Sequence, residues 1–274
     1  MTGIDAIPSP GPGRSYQQAG RESQRRRALL GDVIRSEWVK LASTPSLLWP
    51  VIVMGLAVPV LAVVVAATGS IQPDDTILGG SLTGAAIGQV IAGAVGALTV
   101  TGEHASGTIR TTLVAMPRRT VVFTAKAVVV AAATVPTALA AGTAAFLIGV
   151  AMLGGAGRVT GHPWPAVLGF ALAIGFAGLL GLAIGSVLRH SAGAVAAVVG
   201  LVVVPSLFGP LFGGLQPWIV GASPSVTLQK LAQSSDAAPE LVGSLGGWAS
   251  LAVMAIYTAV ALAAAGRIFD RRDV

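Results

Sequence analysis

Residues 166–188 read AVLGFALAIGFAGLLGLAIGSVL, 23 positions without one Asp, Glu, Lys, Arg or His. A bilayer's hydrocarbon core is about 30 Å thick and takes roughly 20 apolar helical residues to cross. This run is long enough to do so. Five other charge-free stretches meet the same test: 47–67, 82–101, 127–150, 191–212 and 248–266. Of the 274 residues, 54% are hydrophobic and 10% charged, where a soluble domain carries about a quarter charged. The mean hydropathy of +0.80 and the 36 glycines agree, because small residues let membrane helices approach closely. The expected fold is an all-α membrane protein with six transmembrane helices.

Six crossings place both termini on one side. The segments on that side, 1–46, 102–126, 189–190 and 267–274, hold 15 of the 17 basic residues, leaving Arg158 and Lys230 opposite. The positive-inside rule puts that side in the cytoplasm. The basic residues mark orientation, so the net charge of +6 does not point to nucleic acid as a partner. Residues 1–28 read as a disordered cytoplasmic tail. The arginine run Arg25-Arg26-Arg27 is followed by Asp32, Arg35, Glu37 and Lys40 rather than by the apolar run of a twin-arginine signal. Within 29–46, Leu30, Val33, Ile34, Trp38 and Leu41 recur at helical spacing. They predict an amphipathic helix in the membrane interface, with Trp38 at headgroup depth and Arg35 and Lys40 reaching lipid phosphates. A plain lead into the first span is the alternative.

The missing residues narrow the function. Cysteine is absent, which excludes thiol nucleophiles, iron–sulfur clusters and cysteine-zinc sites. No span holds a carboxylate or histidine to bind a coupling ion, which disfavours ion-coupled transport, although backbone carbonyls at a broken helix can serve. Gln89 reads as an interhelical donor. His104, His162 and His190 lie apart, Asp74-Asp75 is a solvated turn, and neither H-E-x-x-H nor G-x-S-x-G occurs. Lys40, Lys126 and Lys230 do not complete a G-K-[ST] phosphate loop. The chain has no catalytic site, metal site or cofactor of its own, and ATP-driven work needs a separate subunit.

The segment between the second and third spans carries a signal. It reads Thr101-Gly-Glu103-His-Ala-Ser-Gly107-Thr108-Ile109-Arg110-Thr-Thr-Leu113-Val-Ala-Met116-Pro117-Arg118-Arg119, followed by Lys126. Ser106 or Thr108 can cap a short helix running to Met116, where Pro117 disfavours continuation. Such a helix mixes apolar knobs (Ile109, Leu113, Met116) with Arg110 and suits a groove on a cytosolic partner. An ordinary positive loop fits equally well.

This pattern resembles the loop of ABC-2 type permeases, especially those of high-GC Gram-positive bacteria. Ser36-Glu37-Trp38-Val39-Lys40-Leu41, Gly181 to His190 with Ser191-Ala-Gly193, and Arg267-Ile-Phe-Asp-Arg-Arg272 resemble other parts of that family, so that the likeness spans about 33–272. The resemblance implies a multi-pass permease of the bacterial cell membrane. Two six-span subunits, identical or paralogous, would form a dimer with two cytosolic ABC ATPases that bind the ATP and Mg. The loop 102–126 would be the coupling segment, with Glu103, Gly107, Thr108, Ile109, Arg110 and Leu113 toward the ATPase. Trp38, Lys40, Pro117, Arg118, Arg119 and Lys126 would anchor the chain at the lipid interface. The outer segment 213–247 would form short broken elements, and 267–274 a basic tail. The spans' apolar walls suggest outward transport of an amphiphilic cargo such as a drug, a peptide antibiotic or a lipid. Alternatives are an ATP-independent transporter or channel, or a non-transporting immunity or sensor subunit.

Overall fold

The computed structural model describes residues 30–72, 74–116, 118–154, 158–234, 237 and 239–271. The leading tail 1–28, Pro117 and residues 272–274 lie outside them. Helix α1 covers 30–43 and is separated by Thr44 alone from α2, Pro45–Thr68, whose first turn accepts proline because its N–H groups have no helical partner. Then follow α3 (Ile77–Ser81), α4 (Ala85–Ser106), α5 (Thr108–Ala115), α6 (Arg119–Leu153), α7 (Pro163–Leu188) and α8 (Ser191–Leu207). A 3₁₀ turn at Gly209–Leu215 leads into α9 (Gln216–Gly221), α10 (Pro224–Ala232), α11 (Pro239–Val242) and α12 (Gly247–Arg271). No strand occurs among the described residues.

Helices α2, α4, α6, α7 and α12 are each long and apolar enough to cross a membrane. They match five of the expected spans, with different ends. Helix α4 starts at Ala85 and runs on to Ser106, so Glu103 continues a span rather than opening a loop. Helix α6 starts at Arg119, which puts Lys126 two turns inside a helix instead of at its base. The expected span 191–212 is not a single helix. It stops at Leu207, and the pair formed with 209–221 is bent by 71°. Pro205 and Pro210 lack the N–H a continuing helix needs, and Gly213 takes a positive φ of 52°. Helix α8 alone is about 25 Å long, and together with 209–221 it makes the sixth candidate span, a bent one.

Helix α7 is the centre of the bundle, with α4 and α6 against it and α2 outermost. The closest approach is between α4 and α7. A methyl group on Gly96 would strike the Gly178 backbone, and one on Gly181 would strike the backbone of Gly93. Only glycine permits this contact, so Gly181 and Gly185 serve packing within the chain. Helix α6 runs unbroken through Pro136, and the Thr137 hydroxyl donates to the Ala133 carbonyl at 2.7 Å.

The two ends of the bundle differ. At one, α3 hangs on the 158–160 segment through Ile77 N–H to the Val159 carbonyl at 2.9 Å. There α10 inserts almost fully buried, its Pro224 carbonyl taking a hydrogen bond from Gln89 Nε2 at 3.1 Å. At the other end α1 and α5 fold against the ends of α4, α6, α7 and α12. Val100, Ile109, Phe123, Leu182, Ala265 and Phe269 form a common core there.

Gly181→Val is expected to lower the thermal unfolding midpoint in detergent, at a cost of at least about 1–3 kcal/mol for forced overpacking. Gly200→Val, where an added methyl meets nothing within 4 Å, should leave the midpoint nearly unchanged.

Candidate functional site: a buried ion cluster joining the short helices to the spans

Helix α1 lies on α6. Val33 packs against Val122 and Ala125, and Leu41 against Val129 and Ala133. Between those contacts the same face presents Glu37, three residues before Lys40, so the two point inward together. Glu37 Oε1 accepts from Lys40 Nζ at 2.6 Å, and Glu37 Oε2 accepts from Lys126 Nζ at 2.7 Å. Glu103 Oε1 completes the ring, 2.9 Å from Lys40 Nζ and 2.8 Å from Lys126 Nζ. Lys126 also donates to the Thr99 carbonyl at 3.3 Å, and Lys40 to the Thr112 hydroxyl at 3.2 Å. Two cations and two anions alternate, so the cluster carries no net charge.

Its burial is graded. The Lys126 side chain is 1% exposed, Glu37 5%, Glu103 12% and Lys40 38%. An ammonium as deeply buried as Lys126 needs a carboxylate partner, since an isolated ion there costs several kcal/mol. Lys126 has two. Burial alone would lower the Lys40 pKa. Hydrogen bonds and charge from Glu37 and Glu103 outweigh it and hold the ammonium above the ordinary lysine value of 10.5. A raised base stabilises the fold below its unfolded pKa, and that contribution is lost as pH climbs through the folded value. The Lys40 charge therefore persists across the neutral range and is lost only in alkali.

The ring ties four elements: α1 through Glu37 and Lys40, α4 through Glu103, α5 through Thr112 and α6 through Lys126. Helix α5 begins at Gly107, whose φ of 72° reverses the chain out of α4. No side chain caps its start. The Ser106 hydroxyl instead donates back to the Gly102 carbonyl at 2.9 Å and lies 2.9 Å from the Thr108 hydroxyl. Beside the ring lies a cavity of about 410 Å³. The second carboxylate oxygen of Glu103, Oε2, is buried without a hydrogen-bond partner.

The structure sorts the expected residues differently from the sequence reading. Gly107, Thr108 and Arg110 are exposed, but Ile109 is 2% exposed and packs with Leu113 into the core under α5. These two apolar knobs point into the bundle rather than outward. The exposed apolar residue of α5 is Val114, at 84%. Trp38, expected at headgroup depth, is 44% exposed, and Glu37 takes the buried position beside it. Lys40 and Lys126 belong to the ring, and Lys126 does not lie at a surface. Arg118 is exposed and Arg119 half-buried. Among the described residues no group of His, Asp and Glu can hold a metal ion. Glu37, Thr99 and Thr112 were not singled out from sequence. The available signal was the Glu37-x-x-Lys40 spacing on a face otherwise made of Val33, Ile34 and Leu41.

The family model described as ABC-2 family transporter protein matches residues 16–274. The chain belongs to the ABC-2 transporter family. It is thus a multi-pass membrane protein of a transport family. Comparison with curated proteins gives no match. In this ABC-2 transporter, the ion ring occupies the end of the bundle where α5 joins two spans.

Lys126→Met leaves Glu37 and Glu103 with only Lys40, and breaking such a buried pair is expected to cost about 3–5 kcal/mol. Thermal unfolding in detergent checks this. Glu37→Gln combined with Lys126→Met should cost less than the sum of the two single losses, whereas additive losses would deny the pairing.

Proposed function

We propose that the chain is the membrane-spanning permease subunit of an ABC exporter. A separate cytosolic ATPase binds and hydrolyses the ATP with its Mg, and this chain holds neither. The charge asymmetry of the sequence supports placing the end that carries α1, α5 and the ion ring in the cytoplasm of a bacterial cell membrane. The two-subunit, two-ATPase assembly of the family would then give a dimer of this chain or a pair with a paralogue.

The observation that carries the reading is the ring itself. Helix α5 is short, with an exposed outer face made by Thr108, Arg110, Thr111 and Val114, while its inner side packs Ile109 and Leu113 with Val100 and Phe123 and its Thr112 accepts from Lys40 of α1. A force applied to that outer face passes through packed Ile109 and the ring into two spans at once. A loosely attached loop would absorb it. Glu103 and Lys126 thus act inside the permease, transmitting motion, and the residues toward the ATPase are Gly107, Thr108, Arg110 and Val114.

The cargo is read from chemistry. The spans offer Ala, Val, Leu, Ile and Gly, with no charge in their central parts, so a molecule moving along them meets an apolar wall. An amphiphile such as a drug, a peptide antibiotic or a lipid suits that wall better than a sugar or an ion.

The test is co-purification of the full chain with its ATPase, identified by mass spectrometry through its Walker sequence. Arg110→Glu and Val114→Asp should abolish co-purification while leaving the unfolding midpoint of the permease unchanged, because both side chains are exposed. Recovery of the wild-type chain without any ATPase in several detergents would overturn the reading.

A further inference from the structure

Helices α7 and α12 leave a groove of about 340 Å³ between them, at the end of the bundle that holds the ion ring. Ala183, Ile184, Val187 and Leu188 of α7 and Ala261, Ala264 and Ala265 of α12 line it, so every wall is aliphatic. Its floor is closed by the core that Leu182, Ala183 and Ala265 share with Phe269. Its mouth is open, with Leu188 48% exposed and Ala264 exposed. Such walls suit a hydrocarbon chain better than water.

The charges lie beyond one end of the groove, where both helices finish. Arg189 follows Leu188 and closes α7, and in α12 Arg267 and Arg271 follow Ala264 by three and seven residues. At 3.6 residues per turn these two lie about 5 and 10 Å beyond Ala264 and within about 60° of it round the axis. Both are exposed, and neither makes an ion pair among the described residues. Their Cα–Cβ bonds tilt toward the helix N-terminus, which is back toward the groove. The carboxylate of this stretch, Asp270, is about 120° from Ala264, on the side away from Ala261 and Ala265. An aliphatic slot that ends at two arginines fits a hydrocarbon chain carrying an anion. Guanidinium groups take phosphate oxygens by paired hydrogen bonds, whereas a zwitterionic headgroup brings a cation beside them as well. A second copy docked on this face about a two-fold axis along the helices would set its own Arg267 and Arg271 against these, so like charge opposes that occupant.

We propose that this groove seats an acyl chain of an anionic phospholipid whose phosphate is held by Arg267 and Arg271. The lipid packs between α7 and α12 as a further helix would, at the level of the ion ring. The proposal stands whether or not the chain pairs with an ATPase.

The chain has no cysteine, so the test places a bimane fluorophore at a single introduced Val260→Cys. Val260 is 64% exposed and one turn inward of Ala264. The full chain is reconstituted in phosphatidylcholine vesicles containing a minor fraction of phosphatidylglycerol. Either that phosphatidylglycerol or an equal fraction of the phosphatidylcholine carries brominated acyl chains, which quench bimane on contact. Brominated phosphatidylglycerol is expected to quench roughly tenfold more efficiently than brominated phosphatidylcholine, from two arginines acting on one anionic headgroup. At Val53→Cys, on the exposed face of α2, the two lipids should quench alike. Arg267→Gln with Arg271→Gln should bring the ratio at 260 near one, and both side chains are exposed, so the fold is kept. Ala264→Trp, which fills the mouth and leaves the arginines in place, should do the same. Equal quenching by the two lipids at 260 would overturn the proposal. So would a ratio that survives both changes, or an equal ratio at Val53, which would show only a general attraction of anionic lipid to the basic end.

Discussion

Lys126 sits two turns inside a long apolar helix with its ammonium held between two carboxylates. The placement is costly for one charge and tolerable for a neutral set of four, so each member depends on the other three. Glu37 must come from a helix that lies across α6, Glu103 from the last turns of α4, and Lys40 from the same face as Glu37. The arrangement therefore fixes where α1 lies, how far α4 extends, and at what depth α6 begins. A buried ion pair adds little net stability compared with an apolar replacement, but it has a defined partner geometry that leucine and valine do not. In a bundle built from interchangeable aliphatic residues, this ring sets the register at one end.

The middle of the molecule is specified by shape instead. Between α4 and α7 the backbones touch at Gly93, Gly96, Gly178 and Gly181, and van der Waals packing replaces the hydrophobic drive that lipid does not supply. The far end is built from short pieces, α3 and α9 to α11, whose backbone groups are satisfied locally or by single side chains such as Gln89. The three regions give a gradient from an electrostatically locked end, through a glycine-packed centre, to an end of broken helices.

Much of this was legible in the sequence because lipid imposes a simple rule. Charge-free runs of about 20 residues announce six spans, of which five are single helices and the sixth a bent pair, and Pro117 announces the end of α5. Where the reading went astray, tertiary packing overrode composition. Charged residues were taken to end a span, which set the boundaries at 101 and 127. Glu103 and Lys126 instead neutralise each other, and the helices run on through them. The apolar spacing of α1 does not announce that Glu37 sits on the inward face, because its partner Lys126 is 89 residues away in the chain. Ile109 and Leu113 were expected on an outer face, but nothing in an isolated eight-residue helix tells which side the bundle will cover. The break after Leu207 was signalled by Pro205, Gly209 and Pro210, which a hydropathy window averages away.

The central claim is that α1, α5 and the ends of α4 and α6 move as one body. The chain has no cysteine, so spin labels can be attached at single introduced cysteines without background. Labels at Val39 and Val114, both exposed, report the separation of α1 from α5, and a third at Trp164 reports the far end. Pulsed electron–electron resonance on the complex with its ATPase, nucleotide-free and ATP-trapped, measures these separations. The account predicts that the 39–114 distance stays narrow and unchanged between the two states while the 114–164 distance shifts. A 39–114 distance that broadens or changes on ATP binding would contradict it.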